Sequence, residues 1–146
     1  MKFANFLTKT KEFLIRRISE LLGLLIIFLG LYILISLVSY SPDDPNFIIS
    51  ETDEIQNLLG FRGSVISDFL FQSIGLISYF IPFTLFFSGV NILLNKRQIV
   101  LIDNLFFSVL YIVCGSLFLA YFKGQSFFLT INGNGGFIGL FLKDSF

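Results

Sequence analysis

The side chains best equipped for chemistry in this chain are the carboxylates Asp43, Asp44, Asp53 and Glu54, all between positions 43 and 54. Grouped carboxylates can hold a calcium ion, or divide the roles of general acid and base between them. Their spacing does not follow an EF-hand loop, and the chain has no histidine to serve as base or ligand. Its one cysteine, Cys114, leaves neither a disulfide framework nor a CxxC metal site. Asn132-Gly133-Asn134-Gly135-Gly136 is glycine-rich, but it lacks the lysine of a phosphate loop and follows no buried strand. It reads as a turn before a helix. The expectation is therefore no catalytic residue, no cofactor and no metal, with the carboxylates forming a solvated acidic loop.

The elements that hold this loop follow from composition. Hydrophobic residues make up 55% of the chain and charged residues only 14%, with a mean hydropathy of +0.84. Disorder is excluded, since it needs low hydrophobicity and high net charge. A small soluble enzyme is disfavoured, because too little polar surface is available to cover the apolar bulk. Ten basic and ten acidic residues cancel, so no overall basic field points to direct nucleic-acid binding.

The runs 21–42, 69–95 and 104–122 carry no charge. Each reaches the roughly 20 residues that a helix needs to cross about 30 Å of hydrocarbon. They predict an all-α, polytopic transmembrane helix bundle with complete spans at about 21–40, 69–95 and 104–122. A fourth span begins at about 136 and is cut short at Phe146. The basic, amphipathic segment 1–20 is one unit and the membrane domain 21–146 the other, with a loop at 41–67. A cleaved signal peptide would also place basic residues before an apolar core. The core here is long, and Ser39-Tyr40-Ser41-Pro42 is a poor cleavage site, so an uncleaved helix is expected.

Basic residues set the orientation. Lys2, Lys9, Lys11, Arg16 and Arg17 precede the first span, and Lys96 and Arg97 follow the second. Arg62 alone lies in the first connection and Lys123 alone after the third span. The positive-inside rule then puts the N-terminus and the 95–103 loop in the cytoplasm, and residues 39–67 and 123–135 outside. In residues 2–20, Phe3, Phe6, Leu7, Leu14, Ile18 and Leu21 fall on one helical face. This segment is either an interfacial helix held by anionic lipid or an extension of the first span.

In the outer loop, Pro42 and Pro45 bracket Asp43-Asp44 and predict a rigid turn leaving the membrane. Tyr40 suits the lipid–water boundary. Ser50-x-x-Asp53 resembles a helix start, with Ile55, Leu58 and Leu59 as the apolar face and Gly60 as the stop. Within the spans, the absence of acidic, basic and histidine residues argues against a transporter or pump. Gln72 and Asn91 are expected to bond between helices, and Pro82 to kink the second span. Small residues four apart, at Thr84 and Ser88, Ser116 and Ala120, and Gly135 and Gly139, predict close helix approach.

The basic pair, the leucine-rich first span and the sequence Ser39-Tyr40-x-Pro42-x-Asp44-Pro45-Asn46-Phe47 resemble the N-terminal four-helix membrane domain of the FtsK/SpoIIIE DNA translocases. Phe47 stands where that family often has tryptophan. The likeness continues through Gly60, Gly63, Asp68, Leu70-Phe71-Gln72, Gly75, Tyr79, Pro82, the pair Lys96-Arg97, and Gly135, Gly136 and Gly139. The resemblance implies a membrane anchor in the bacterial inner membrane at the division septum, in contact with cell-division proteins. It also implies a hexameric ATP-driven DNA motor on another part of the protein, which would bring copies of this domain together. This segment itself is then expected neither to hydrolyse ATP nor to grip DNA. A small channel or transporter subunit, or a stand-alone membrane adaptor, is the alternative.

Overall fold

The computed structural model describes residues 2–45, 54–95, 99–122, 129 and 131–145, with side chains from Lys9 onward. It is all-helical, with no strand among the described residues. Helix α1 runs over Lys2–Val38, α2 over Gly60–Ile74, a 3₁₀ segment over Gly75–Tyr79, α3 over Phe80–Asn95, α4 over Ile99–Phe122 and α5 over Gly136–Ser145. Among the described residues, three stretches are long and apolar enough to cross a membrane: Lys9–Val38, Gly60–Asn95 and Ile99–Phe122. Of the two readings of the N-terminal segment, the continuous helix is the one observed. α1 has no proline to stop it before Ser39-Tyr40-Ser41-Pro42, where Pro42 disfavours helix at Ser41.

The helix expected to stop at Gly60 is not there in the described residues. Residues 54–59 form an irregular stretch and a turn, and Gly60, at φ 63°, starts α2 instead. The run from Gly60 to Asn95 then breaks at Gly75, whose φ of 68° and ψ of −150° suit glycine alone. Pro82, where a kink is expected from the sequence, falls instead at a helix start. Pro82 is the third residue of α3, where the amide it lacks would have had no partner within the helix.

The break divides the work of the two halves. α3 lies antiparallel along α1, with Gly89 opposite Gly23 and Pro82 opposite Gly30. A Cβ on Gly23 would stand 2.9 Å from the Gly89 carbonyl oxygen, and one on Gly30 3.0 Å from that of Pro82. The pairs recur after seven residues on both helices, the repeat of a left-handed helix crossing. α2 instead meets only the end of α1: Gly63 receives Ser36, while Asp68 and Phe71 meet Tyr40. Partners spread over two turns of α2 converge on 36–40, so α2 crosses the end of α1 rather than running beside it.

α4 is antiparallel to α3 and joined to it by polar contacts. Asn104 Nδ2 donates to Ser88 Oγ at 2.6 Å, and Thr84 and Tyr111 share a hydrogen bond of 3.1 Å; further along α4, Ser116 Oγ donates to the Ile74 carbonyl at the end of α2 at 2.9 Å. Gln72 does bond across elements, accepting from Asn132 on its carbonyl and side-chain oxygens at 3.1 and 3.2 Å. Asn91 accepts within its own helix, from Asn95.

Because lipid tails are as apolar as the side chains, helices in a bilayer associate through close packing rather than water exclusion. The glycine seam between α1 and α3 should therefore dominate stability. Gly89→Leu is expected to lower the thermal midpoint of the detergent-solubilised protein by an amount corresponding to about 1–3 kcal/mol. Leu94→Ala, on a side chain 74% exposed, should leave the midpoint unchanged.

Candidate functional site

The residues singled out in the sequence gather in two places at one end of the bundle. The first is a clasp over the end of α1. A helix leaves its last four carbonyls without intrahelical partners, and next to a bilayer such groups must be satisfied by the protein. Here the Ile35 carbonyl accepts from Ser39 N and Oγ at 3.1 and 2.7 Å. Leu37 O accepts from Tyr40 N and from the Tyr79 hydroxyl at 3.4 and 3.3 Å. Asn57 Nδ2 donates to Ser36 O and Ser39 O at 2.9 and 3.2 Å. Its Oδ1 accepts the Leu59 amide at 3.0 Å, and its own carbonyl accepts the Gly60 amide at 2.8 Å. Asn57 thus closes α1 and launches α2 at once.

Asp44 locks that asparagine in place. It is 2% exposed, and its two carboxylate oxygens accept the amides of Gln56 and Asn57 at 2.7 and 2.9 Å. Pro45 is buried, and its carbonyl accepts Ser64 Oγ at 2.7 Å. The carboxylate is therefore a structural acceptor for backbone amides, with both oxygens committed. Among the described residues no cluster of histidine, cysteine and carboxylate side chains could hold a metal ion. Gly63 leaves room for Asn57: a Cβ there would stand 2.6 Å from the Leu59 Cβ and run into the Asn57 side chain.

Beside the clasp, Phe71 is 2% exposed and sits between two tyrosines. Its ring lies 4.8 Å from Tyr40 and 5.4 Å from Tyr79, both tilted, as the ring quadrupoles favour. The Tyr40 hydroxyl donates to Asp68 at a long 3.4 Å. Burial, then the neighbouring Asp68 carboxylate, push its pKa up to about 12, so it is a neutral donor across the physiological range. A cleft of about 240 Å³ opens here, lined by Leu37, Val38, Tyr40, Phe71, Leu76, Tyr79 and Leu129.

The second gathering is a glycine junction. Leu76 N donates to Asn134 O at 2.9 Å, and Gly75 packs directly on the Asn134–Gly136 backbone. Gly136, at φ 64°, leaves only 2.6 Å between its Cβ position and the Ile74 carbonyl carbon. Gly135 and Gly139 meet the same two residues of α4: their Cβ positions lie 2.8 and 3.2 Å from the Ala120 Cβ, with Ser116 O beside both. Lys143 reaches the Ala120 carbonyl at 3.4 Å. α5 thus stays at the end of α4 over its described length.

Ser39, Tyr40, Asp44, Pro45, Gly60, Gly63 and Tyr79 belong to the clasp and its border, and Gly75, Gly135, Gly136 and Gly139 to the junction. Pro82 lies in the α1–α3 seam, Pro42 lies exposed beside the clasp, and Asn46 and Phe47 fall outside the described residues, as does the Ser50–Asp53 helix start. Asn57, Ser36 and Ser64 were missed in the sequence; Asn57-Leu58-Leu59-Gly60 carries a turn signal, but nothing in it points back to residues 36 and 44. Gly23, Gly30 and Gly89 were also passed over, although the seven-residue spacing of the first two was visible. Asp44→Ala should destabilise the solubilised protein by about 2–4 kcal/mol through two lost charge-assisted bonds. Asp44→Asn, which keeps one carbonyl acceptor, should cost about half of that in the same thermal assay.

The comparisons with known proteins bear on the whole of this arrangement. Residues 15–146 match the 4TM region of DNA translocase FtsK/SpoIIIE. The chain is 34% identical to the DNA translocase FtsK of Rickettsia typhi over 116 residues, covering 80% of this chain and 15% of that relative. It is 40% identical to the Rickettsia bellii protein of the same name over 73 residues, covering 50% of this chain and 10% of the relative. The Shewanella oneidensis protein of that name is 35% identical over 107 residues, 73% of this chain and 11% of the relative. The chain thus spans only a small part of the length of these relatives. No solved structure matches. With the clasp motif, the glycine junction and this match lying on the same residues, the chain belongs to the FtsK/SpoIIIE family through its four-helix membrane region.

Proposed function

We propose that this chain is the membrane anchor and the septum-targeting, interaction domain of an FtsK-type DNA translocase acting in cell division and chromosome segregation. The match of residues 15–146 to the family's 4TM region carries this reading, and the helices long and apolar enough to cross a membrane supply the means. A pump that pulls DNA experiences the reaction force, so it must be held, and several packed spans resist extraction where a single helix would slide. The motor belongs to another part of the protein, and this segment neither hydrolyses ATP nor grips DNA. Hexamer formation by the motor raises the effective concentration of the anchors, so weak lateral contacts between them suffice.

In this reading the N-terminus is cytoplasmic, the protein sits in the bacterial inner membrane, and the clasp end faces outward to meet cell-division proteins. Five basic residues against Glu12 and Glu20 give residues 1–20 a charge of +3, and five acidic residues against Arg62 give residues 39–67 a charge of −4. That asymmetry supports the orientation. Alkaline phosphatase fused after Asn46 should be active in cells and inactive when fused after Gln98; the reverse pattern would overturn the orientation.

The clasp fixes a surface without needing all of it. Leu58 is 78% and Ile55 41% exposed, beside the buried Asn57. In the full-length translocase, Ile55→Ser with Leu58→Ser should leave membrane insertion intact and reduce septal enrichment of a fluorescent fusion several-fold. Exchange of the whole 39–67 segment should abolish it. Septal localisation and recruitment of division proteins unchanged by both alterations would refute the interaction role.

A further inference from the structure

α1 is longer than a bilayer requires, and the excess has two distinct sides. Counting about 20 residues back from Val38 fills the roughly 30 Å of hydrocarbon, which puts its edge near Ser19. At that level the side facing the bundle is fixed. Ser19 is fully buried, its hydroxyl turned onto the Ile15 carbonyl at 2.8 Å, and Gly23 packs on Gly89 and Leu93. At about 100° per residue, Leu14, Ile18 and Leu21 share the opposite side. They are 53%, 58% and 61% exposed, and nothing described in the bundle covers them. Lys11, three residues before Leu14, continues this face, and Arg17 borders it. Arg17 pairs with Glu20 at 2.6 Å and lies 5.2 Å over the Phe13 ring. Among the described residues no ion pair engages Lys9, Lys11 or Arg16.

We infer that residues 9–18 of α1 form a binding element for anionic phospholipid. Leu14, Ile18 and Leu21 line the lipid-facing side of α1 from the acyl-chain boundary near Ser19 out to headgroup level, while Lys11 and Arg17 beside them, and Lys9 and Arg16 around the other side of the helix, engage the phosphates of the surrounding headgroups. Charge complementarity selects the occupant. A second copy of this chain would bring the same cations together, whereas an anionic leaflet neutralises them. The long stems of lysine and arginine let their charges stay at headgroup height while the helix face lies deeper. Each cation near such a surface strengthens the contact by roughly fivefold, and salt weakens it.

The inference rests on the anchor reading only in taking α1 as inserted, and its test separates the two. The full chain, with Cys114→Ser and Leu14→Cys carrying an environment-sensitive fluorophore, is reconstituted into vesicles of zwitterionic lipid, and of zwitterionic lipid mixed with anionic phosphatidylglycerol. The expected result is a blue-shifted, quencher-protected label in the anionic vesicles, reversed by high salt. Substitution of Lys9, Lys11, Arg16 and Arg17 by glutamine should abolish the difference. Identical spectra in the two lipids, or a shift that persists in the glutamine variant, would overturn the lipid contact while leaving the chain inserted. A shift that grows with protein density in both lipids would assign the face to contacts between copies and overturn it too. Extraction of the chain by alkaline carbonate would instead overturn insertion and lipid contact together.

Discussion

The end of α1 presents backbone carbonyls that neither the helix nor lipid can satisfy, and the surrounding structure is organised by that demand. Asn57 answers it from one side by bonding Ser36 O and Ser39 O. Tyr79 answers it from the other through Leu37 O. Asn57 can do so only if its backbone is held, which is the role of the Asp44 carboxylate. The loop therefore returns to the membrane at a fixed point, and α2 starts where the asparagine turn releases the chain. A polar shortage at one helix end thus sets the place of residues 39–45 and 54–60 around it.

Away from that end the helices meet through the absence of side chains. Gly23, Gly30 and Gly89 let α1 and α3 touch backbone to backbone, and Gly135 and Gly139 let α5 settle on Ser116 and Ala120. Neither device works without the other. Packed small residues give many dispersion contacts but no direction along the seam, whereas hydrogen bonds of the clasp fix register but contribute modestly each. Serine hydroxyls join the two systems: Ser36, Ser64 and Ser116 are all buried, and each donates to a carbonyl on another segment.

The glycine break at Gly75 decides how the second apolar stretch is used. An uninterrupted helix over residues 60–95 would run to about 54 Å at 1.5 Å per residue, well beyond the bilayer. Turning at Gly75 leaves α3 to pair with α1 and frees α2 to cover the clasp. In sequence Pro82 looked the more natural place to bend, since proline removes a donor. Its position in the first turn of α3 made that loss harmless, and the position of a helix start is not visible in residue type. Gly60 misled for a related reason, since a glycine with positive φ can end one helix or begin the next, and only the direction of the chain decides.

Hydropathy and charge add up residue by residue along the chain, so the sequence alone determined that this is a helical membrane domain. It also placed the apolar stretches, and the Ser-Tyr-x-Pro-x-Asp-Pro motif pointed to the family. The same sequence could name Asp44, Tyr40, Gly75 and Gly136 as noteworthy but not say what they touch. Asp44 meets Asn57 thirteen residues on, and Gly75 meets Gly136 across two further helices. Such contacts depend on where several elements cross in space, a property of the whole packing and not of any local window. The tertiary structure alone decided that an acidic loop is a clasp, and that four scattered glycines form one junction.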